Sequence, residues 1–240
     1  MSLPLQPQNT SSQARSNTGL VFSTGIHRVL NACIDLIFPP CCAGCDRVDQ
    51  FWCERCQLTL ESLPIQNVIK QDVASIAFVA ATGTHDGILR KAVQGLKYRN
   101  VRQLGEELGI RLAATARMQE WTIDIMIPVP LHADRLKQRG YNQAQVICEY
   151  AAEQLELPCV PQALKRERYS QSQVGLSAKE RKENVADAFS AAPNLVSGNT
   201  VLIVDDVCTT GSTLNECAQA LIAAGARQVY ALTVTAAITA

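Results

Sequence analysis

"VLIVDDVCTTGSTL", residues 201–214, decides how the rest of the chain is read. Val201, Leu202, Ile203 and Val204 run unbroken into Asp205 and Asp206, and the chain then passes through Val207, Cys208, Thr209, Thr210, Gly211, Ser212 and Thr213. A continuous Val/Leu/Ile run suits a central parallel strand covered on both faces, and ligands of such sheets bind beyond the strands' carboxyl ends. The turn into a helix expected from near Leu214 aims backbone amides and the helix N-terminus outward together, which makes an anion pocket. Thr209, Thr210, Ser212 and Thr213 add hydroxyl donors, and Gly211 allows a tight turn or a close approach. Carboxylates beside a phosphate cradle repel the phosphate unless they face something else. A carboxylate accepts two hydroxyl hydrogen bonds well, and a vicinal diol offers that pair. A ribose 5-phosphate meets both demands. The stretch is neither Gly-x-x-x-x-Gly-Lys-Ser/Thr nor Gly-x-Gly-x-x-Gly, so it is not read as a nucleotidase P-loop or a dinucleotide fingerprint.

The surroundings fit an α/β fold. Residues 74–82 read as a strand, 87–116 as one or two helices interrupted near Asn100, and 123–130 as a buried strand stopped by proline. Residues 142–157 return to helix, 213–226 to helix and 228–236 to strand. This alternation predicts a mostly parallel sheet flanked by helices. The charged segment 165–185 lacks an apolar period and is expected to be a long mobile loop. Upstream, Ile26, Val29, Leu30, Cys33, Ile34 and Ile37 form one helical stripe, read as a docking helix because its polar face carries no basic cluster.

With 240 residues and 47% apolar content the chain can bury a sizeable core. Lys+Arg and Asp+Glu are 22 each, so any electrostatic recognition of nucleic acid or membrane has to be local. The polar start, "MSLPLQPQNTSSQARSNTGL", lacks the basic and apolar regions of a signal peptide, and no apolar run approaches transmembrane length. A cytoplasmic protein with no transmembrane segment, meeting membranes through partners, is expected.

Five of the ten cysteines, Cys41, Cys42, Cys45, Cys53 and Cys56, fall within sixteen residues. Cys42-x-x-Cys45 and Cys53-x-x-Cys56 each present two thiolates on one knuckle, and two knuckles close a tetrahedral four-sulfur shell suited to Zn²⁺. Cys41 is an alternative to Cys42, although its three-residue gap to Cys45 fits less well. A redox dithiol needs only one such pair, at the head of a helix. A closed four-sulfur shell leaves substrate no coordination position, so this zinc is expected to be structural.

The acids followed by Thr-Thr-Gly-Ser-Thr resemble the phosphoribosyl pyrophosphate (PRPP) motif of the type I phosphoribosyltransferases. The resemblance implies Asp205 and Asp206 on the ribose 2- and 3-hydroxyls, as the catalytic acids, and residues 208–213 around the 5-phosphate. A second basic stretch, "PVPLHADRLKQRGYNQAQ" (128–145), follows an earlier strand and brings Arg135, Lys137 and Arg139 close together. In that fold such a loop holds the pyrophosphate, for which arginine forks are suited, and Mg²⁺ accompanies PRPP. Taken with the cysteine ribbon, "LKY" (96–98) and "QVGLSAKERKEN" (173–184), the order of blocks resembles the ComF family, also called the ComFC/GntX group, over residues 30–236. That implies Gln173, Arg181 and Asn184 on a loop folding over PRPP, and Lys97 approaching the pyrophosphate. The organisation implied is a disordered tail (1–25), a helix plus zinc-ribbon domain (26–62) and a phosphoribosyltransferase-like domain (63–240).

Two functions follow from the resemblance. One is an enzyme moving ribose 5-phosphate from PRPP to an acceptor nucleophile. The other is a catalytically silent, PRPP-sensing or single-stranded-DNA-binding factor in natural competence, working with the competence machinery in DNA uptake. Basic clusters at 135–139, 165–168 and 179–182, with Tyr98, Tyr141 and Tyr169 nearby, could track a single strand or line the PRPP site.

Overall fold

The computed structural model describes residues 39–70, 74–167 and 188–237. The chain divides into residues 1–40 and 41–240, and every described helix and strand belongs to the second unit. The expected tail, the helix over 26–37, and Gln173, Arg181 and Asn184 lie outside the described residues.

The elements are α1 (Glu54–Glu61), β1 (Val68–Lys70), β2 (Phe78–Thr84), α2 (Gly87–Tyr98), α3 (Leu104–Arg117), β3 (Ile125–Pro128), α4 (Ala133–Arg139), α5 (Gln143–Leu155), β4 (Leu164–Arg166), β5 (Phe189–Ala191), α6 (Pro193–Val196), β6 (Thr200–Cys208), α7 (Ser212–Ala223) and β7 (Gln228–Ala236). Five strands form one sheet in the order β1-β2-β7-β6-β3. All neighbours run parallel except β1, which is antiparallel to β2 at the edge. The expected break near Asn100 is real: Asn100 takes φ 55 between α2 and α3. Leu164–Arg166, whose last two residues were read as the start of the mobile loop, instead pair antiparallel with Phe189–Ala191. Side-chain pattern alone does not reveal a three-residue strand.

Both faces of the sheet are covered. Leu202, Val204 and Met126 pack with α2, α3 and α5, while Val201, Ile203 and Ile127 pack with α7, Leu164 and Phe189. Each wholly buried aliphatic side chain contributes about 1.5–3 kcal/mol, which explains the unbroken apolar run Val201–Val204 in the middle of the sheet. On one face α3 and α5 come unusually close: a Cβ on Gly109 would lie 2.6 Å from Tyr150 Cβ and 2.9 Å from the Ile147 carbonyl.

The four-cysteine segment is continuous with this core. Cys42, Trp52, Cys53, Cys56 and Leu60 are buried in the same cluster as Leu89, Val93 and Leu96 of α2. Polar bonds add to that seam, since Lys91 Nζ donates to the Gly44 carbonyl at 2.7 Å and Arg99 donates to the Cys42 carbonyl at 3.3 Å. Helix α2 is therefore fastened along its length to the cysteine knuckles. Among the described residues no helix is long and apolar enough to cross a membrane.

Candidate functional site

Strand β6 runs on past its apolar segment, through both acids to Cys208, because Val207 and Cys208 pair with Thr235 and Ala236 of the equally long β7. The acids consequently sit within pleated strand and part company. Asp206 turns to the α2 face, where Lys97 Nζ lies 2.7 Å from its Oδ1. Asp205 turns to the α7 face, where its charge acts on the Cys217 thiol and Arg166 acts on it. Past the acids the alternation slips: Val207 packs with the cluster of Leu202 and Val204, and Cys208 with that of Val201 and Ile203.

Asp206 is 3% exposed. A carboxylate so buried needs a cation or several donors to remain charged, and Lys97 supplies the cation. Its second oxygen, Oδ2, is buried with no hydrogen-bond partner. Buried acceptors in native proteins are nearly always satisfied, so this lone pair marks a place for a donor. The backbone around it is held by Thr235 Oγ1, which donates to the Asp206 carbonyl at 3.3 Å and meets His85 Nδ1 at 2.8 Å. His85, which carries no sequence signal, directly follows β2; burial, with Lys97 and Arg90 nearby, lowers its pKa.

Half-buried Asp205 accepts a hydrogen bond from the Asp206 amide at 2.8 Å. Desolvation, then the neighbouring Asp206 charge, pushes its pKa up to about 8, against the pull of that amide, Lys97 and Arg166.

After β6 the chain turns at Gly211, φ 81, into α7. Thr210 Oγ1 lies 2.9 Å from Ser212 Oγ and accepts from the Ser212 amide at 3.4 Å. Thr209, Thr210 and Ser212 are exposed and Thr213 half-buried, whereas Cys208 is buried in the core. Cys208 therefore offers the loop its backbone, its side chain filling the core beneath.

Lys97 also reaches a cavity of about 410 Å³ that gathers Arg135 and Arg139 of α4 with Tyr98, Asn100 and Tyr141. This cavity unites three basic residues drawn from two stretches of sequence. Gly140, φ 80, ends α4 and turns the chain toward α5. Asn142 caps α5 through its side chain and donates to the Val129 carbonyl at 2.9 Å, tying this corner to the end of β3. Arg139 lies over the Tyr98 ring at 5.5 Å and donates to Gln143, while Arg102 lies over Tyr141 at 4.4 Å. Lys137 does not line the cavity.

The sulfurs of Cys42, Cys45, Cys53 and Cys56 all lie within 4.8 Å of one another, with 3.6 Å between Cys45 and Cys53. A tetrahedral Zn–S₄ centre with bonds of about 2.3 Å separates its sulfurs by about 3.8 Å, so the set can hold zinc. Cys41 stays outside it, exposed, in a bridge to Val48. The Gly44 and Cys53 amides donate to Cys42 Sγ at 3.4 and 3.3 Å, as they would to a thiolate. Hydrogen bonds from the Arg47 amide and from Cys53 bring the Cys45 thiol down to about 6; burial, then the neighbouring sulfurs, pushes Cys56 up. Four thiolates cannot share this space without a cation, and a dication resolves the conflict. Gly44 is required here, since a Cβ would sit 2.5 Å from Cys56 Sγ.

Residues 142–239 match the phosphoribosyl transferase domain model. The chain is 32% identical to competence protein F of Haemophilus influenzae over 78% of its own length and 86% of that protein's. The chain belongs to the ComF family. It is also 30% identical to the DNA utilization protein YhgH of Escherichia coli, over 78% of this chain and 85% of that one. A glutamine PRPP amidotransferase from Bacillus subtilis superposes with a TM-score of 0.41 at 24% identity, over 55% of this chain and 26% of that one.

The raised Asp205 pKa sets a sign for stability. Below the unfolded carboxyl's ordinary value, about 4, both states hold the proton. As pH rises toward 8 the unfolded chain releases a proton that the folded chain keeps, so stability is lost across that window. Asp205→Asn is expected to gain on the order of 1 kcal/mol over wild type at pH 8, discounted for partial exposure. The gain is expected to vanish near pH 4, read as the difference in melting temperature at each pH.

Proposed function

We propose that this ComF-family protein binds PRPP across the carboxyl end of β6 and transfers its phosphoribosyl group to an acceptor during natural competence. The observation that carries the reading is Asp206: a buried carboxylate with one oxygen on Lys97 and the other lacking a donor, beside a cavity lined by Lys97, Arg135 and Arg139. A ribose hydroxyl is the donor that Oδ2 lacks. The cavity suits the pyrophosphate, whose charges arginine forks and a lysine point charge bind well. Residues 208–213 suit the 5-phosphate at the head of α7. Asp205 lies on the opposite face of β6, so in this reading it reaches the sugar only from the side of α7. Gln173 and Arg181, outside the described residues, are carried over from the family resemblance as contacts to PRPP.

As C1 loses pyrophosphate the sugar gains oxocarbenium character, which the Asp206 carboxylate stabilises, while the cavity's cations take the charge of the leaving group. Mg²⁺ bound with PRPP would neutralise part of that charge. Zinc in the four-cysteine site would be structural and would fix the knuckles against which α2, and so Lys97, rests. The role in competence and DNA uptake is carried over from the names of the relatives, and the reading puts the protein in the cytoplasm, reaching the membrane through partners.

A second reading, a PRPP-sensing factor that holds single-stranded DNA without turnover, draws on Tyr98, which is 74% exposed at the cavity and stacked with Arg139. Aromatic rings beside cations are the usual platform for unpaired bases.

Calorimetric titration with Mg²⁺ and PRPP tests the shared part. Binding to wild type is expected, weakened at least tenfold, about 1.4 kcal/mol, in Lys97→Met and in Asp206→Asn; equal binding by the variants would contradict the site. Pyrophosphate release with an acceptor separates turnover from sensing. For the metal, one zinc per chain is expected on thiol modification, and its removal by chelation should lower the melting temperature and weaken PRPP binding together.

A further inference from the structure

Two cysteines outside the ribbon take no part in the proposed site. Cys148 lies wholly buried in the middle of α5, and Cys159 lies half-buried beyond the helix end, with their sulfurs 3.5 Å apart. The approach is built into the backbone. Glu156, φ 56, ends α5 in the left-handed region, and the chain then folds back along the outer edge of β3. There the Met126 amide donates to the Pro158 carbonyl at 2.8 Å and the Val160 amide to the Met126 carbonyl at 2.9 Å. Cys159 is thereby clamped beneath the second turn of α5. Among the described residues the one grouping of metal-ligating side chains is the four-cysteine ribbon, so this pair lacks the third and fourth ligands of a metal site. Two thiols in contact without other ligands are the geometry of a dithiol, since a disulfide needs the same two side chains to close to about 2.05 Å.

We propose that Cys148 and Cys159 form a reversible oxidation site, closed to an intramolecular disulfide by a hydroperoxide. The two thiols have distinct parts. Their hydrogen bond lowers the Cys159 pKa and, with burial, raises that of Cys148. Cys159, the more accessible, meets the oxidant as thiolate, and its sulfur takes an oxygen from hydrogen peroxide with release of hydroxide, leaving a sulfenic acid. Cys148 then gives up its proton and its sulfur attacks that of Cys159, displacing hydroxide. Two thiols and one peroxide become one disulfide and two waters, a two-electron exchange. The bond would tie the second turn of α5 to the chain running along the edge of β3. The first turn is already held nearby by Asn142 and Val129, so oxidation would add a covalent tie next to that corner.

Both cysteines fall on one tryptic peptide, residues 140–165. The full chain, purified reduced and with zinc, is treated with stoichiometric hydrogen peroxide, quenched with iodoacetamide and digested. The peptide is expected two hydrogens lighter and unalkylated, regaining two alkylation sites after dithiothreitol, with the oxidised protein melting higher. Recovery of the peptide doubly alkylated while Cys41 is oxidised, or carrying oxygen on either sulfur without the bond, would overturn the proposal. In Cys148→Ser, dimedone is expected to trap a sulfenic acid on Cys159 that wild type does not accumulate; trapping on Cys148 in Cys159→Ser alone would reverse the assigned order.

Discussion

A single ion pair, Lys97 to Asp206, couples most of what the fold arranges. Removing one partner of a buried pair costs about 3–5 kcal/mol, because the other charge is left without compensation. Asp206 is buried as the price of a strand that runs on past its apolar segment to match β7. Lys97 must therefore be delivered to it at the last turn of α2, and α2 in turn is held by the cysteine knuckles through Lys91, Arg99 and the shared core of Trp52, Cys56 and Leu96. The ribbon, the helix and the acid strand form one mechanical chain, and the four sulfurs lie at its far end.

That chain gives the cysteine cluster a use which its distance from β6 would not suggest. A small segment with little core of its own gains order from a metal when its ligands are thiolates, and here the ordered segment presents backbone carbonyls of Cys42 and Gly44 to the cations of α2. The same helix ends in Tyr98, and Asn100 in the left-handed region opens the cavity that Arg135 and Arg139 complete. The basic cavity is thus assembled from α2, α4 and the turn leading into α5, all set by the ends of β2 and β3.

Much of this was legible in the residues themselves. The Val201–Val204 run, the 228–236 strand and the paired knuckles have strong local patterns, and each stands where it was expected. The separation of the two acids was not legible, because it depends on how far β6 stays paired, and that is set by the length of β7 rather than by residues 205–208. Lys97 could be singled out only by resemblance; its contact with Asp206 joins residues far apart in sequence. His85 gave no signal, being a lone histidine at a strand end, and the β4–β5 pairing rests on two three-residue strands lying on either side of residues 168–187. Cys148 and Cys159, eleven residues apart, carry no metal-knuckle spacing; the left-handed turn at Glu156 is what brings them together.

The central claim is that Asp206 and Lys97 are partners waiting to be divided between a sugar and a pyrophosphate. A crystal structure with Mg²⁺ and PRPP tests it most directly. The account predicts that Asp206 Oδ2 accepts a ribose hydroxyl while Lys97 and Arg139 hold pyrophosphate oxygens in the cavity beside Tyr98. Density for PRPP elsewhere on the protein, with the ion pair intact and the cavity filled by solvent alone, would contradict it.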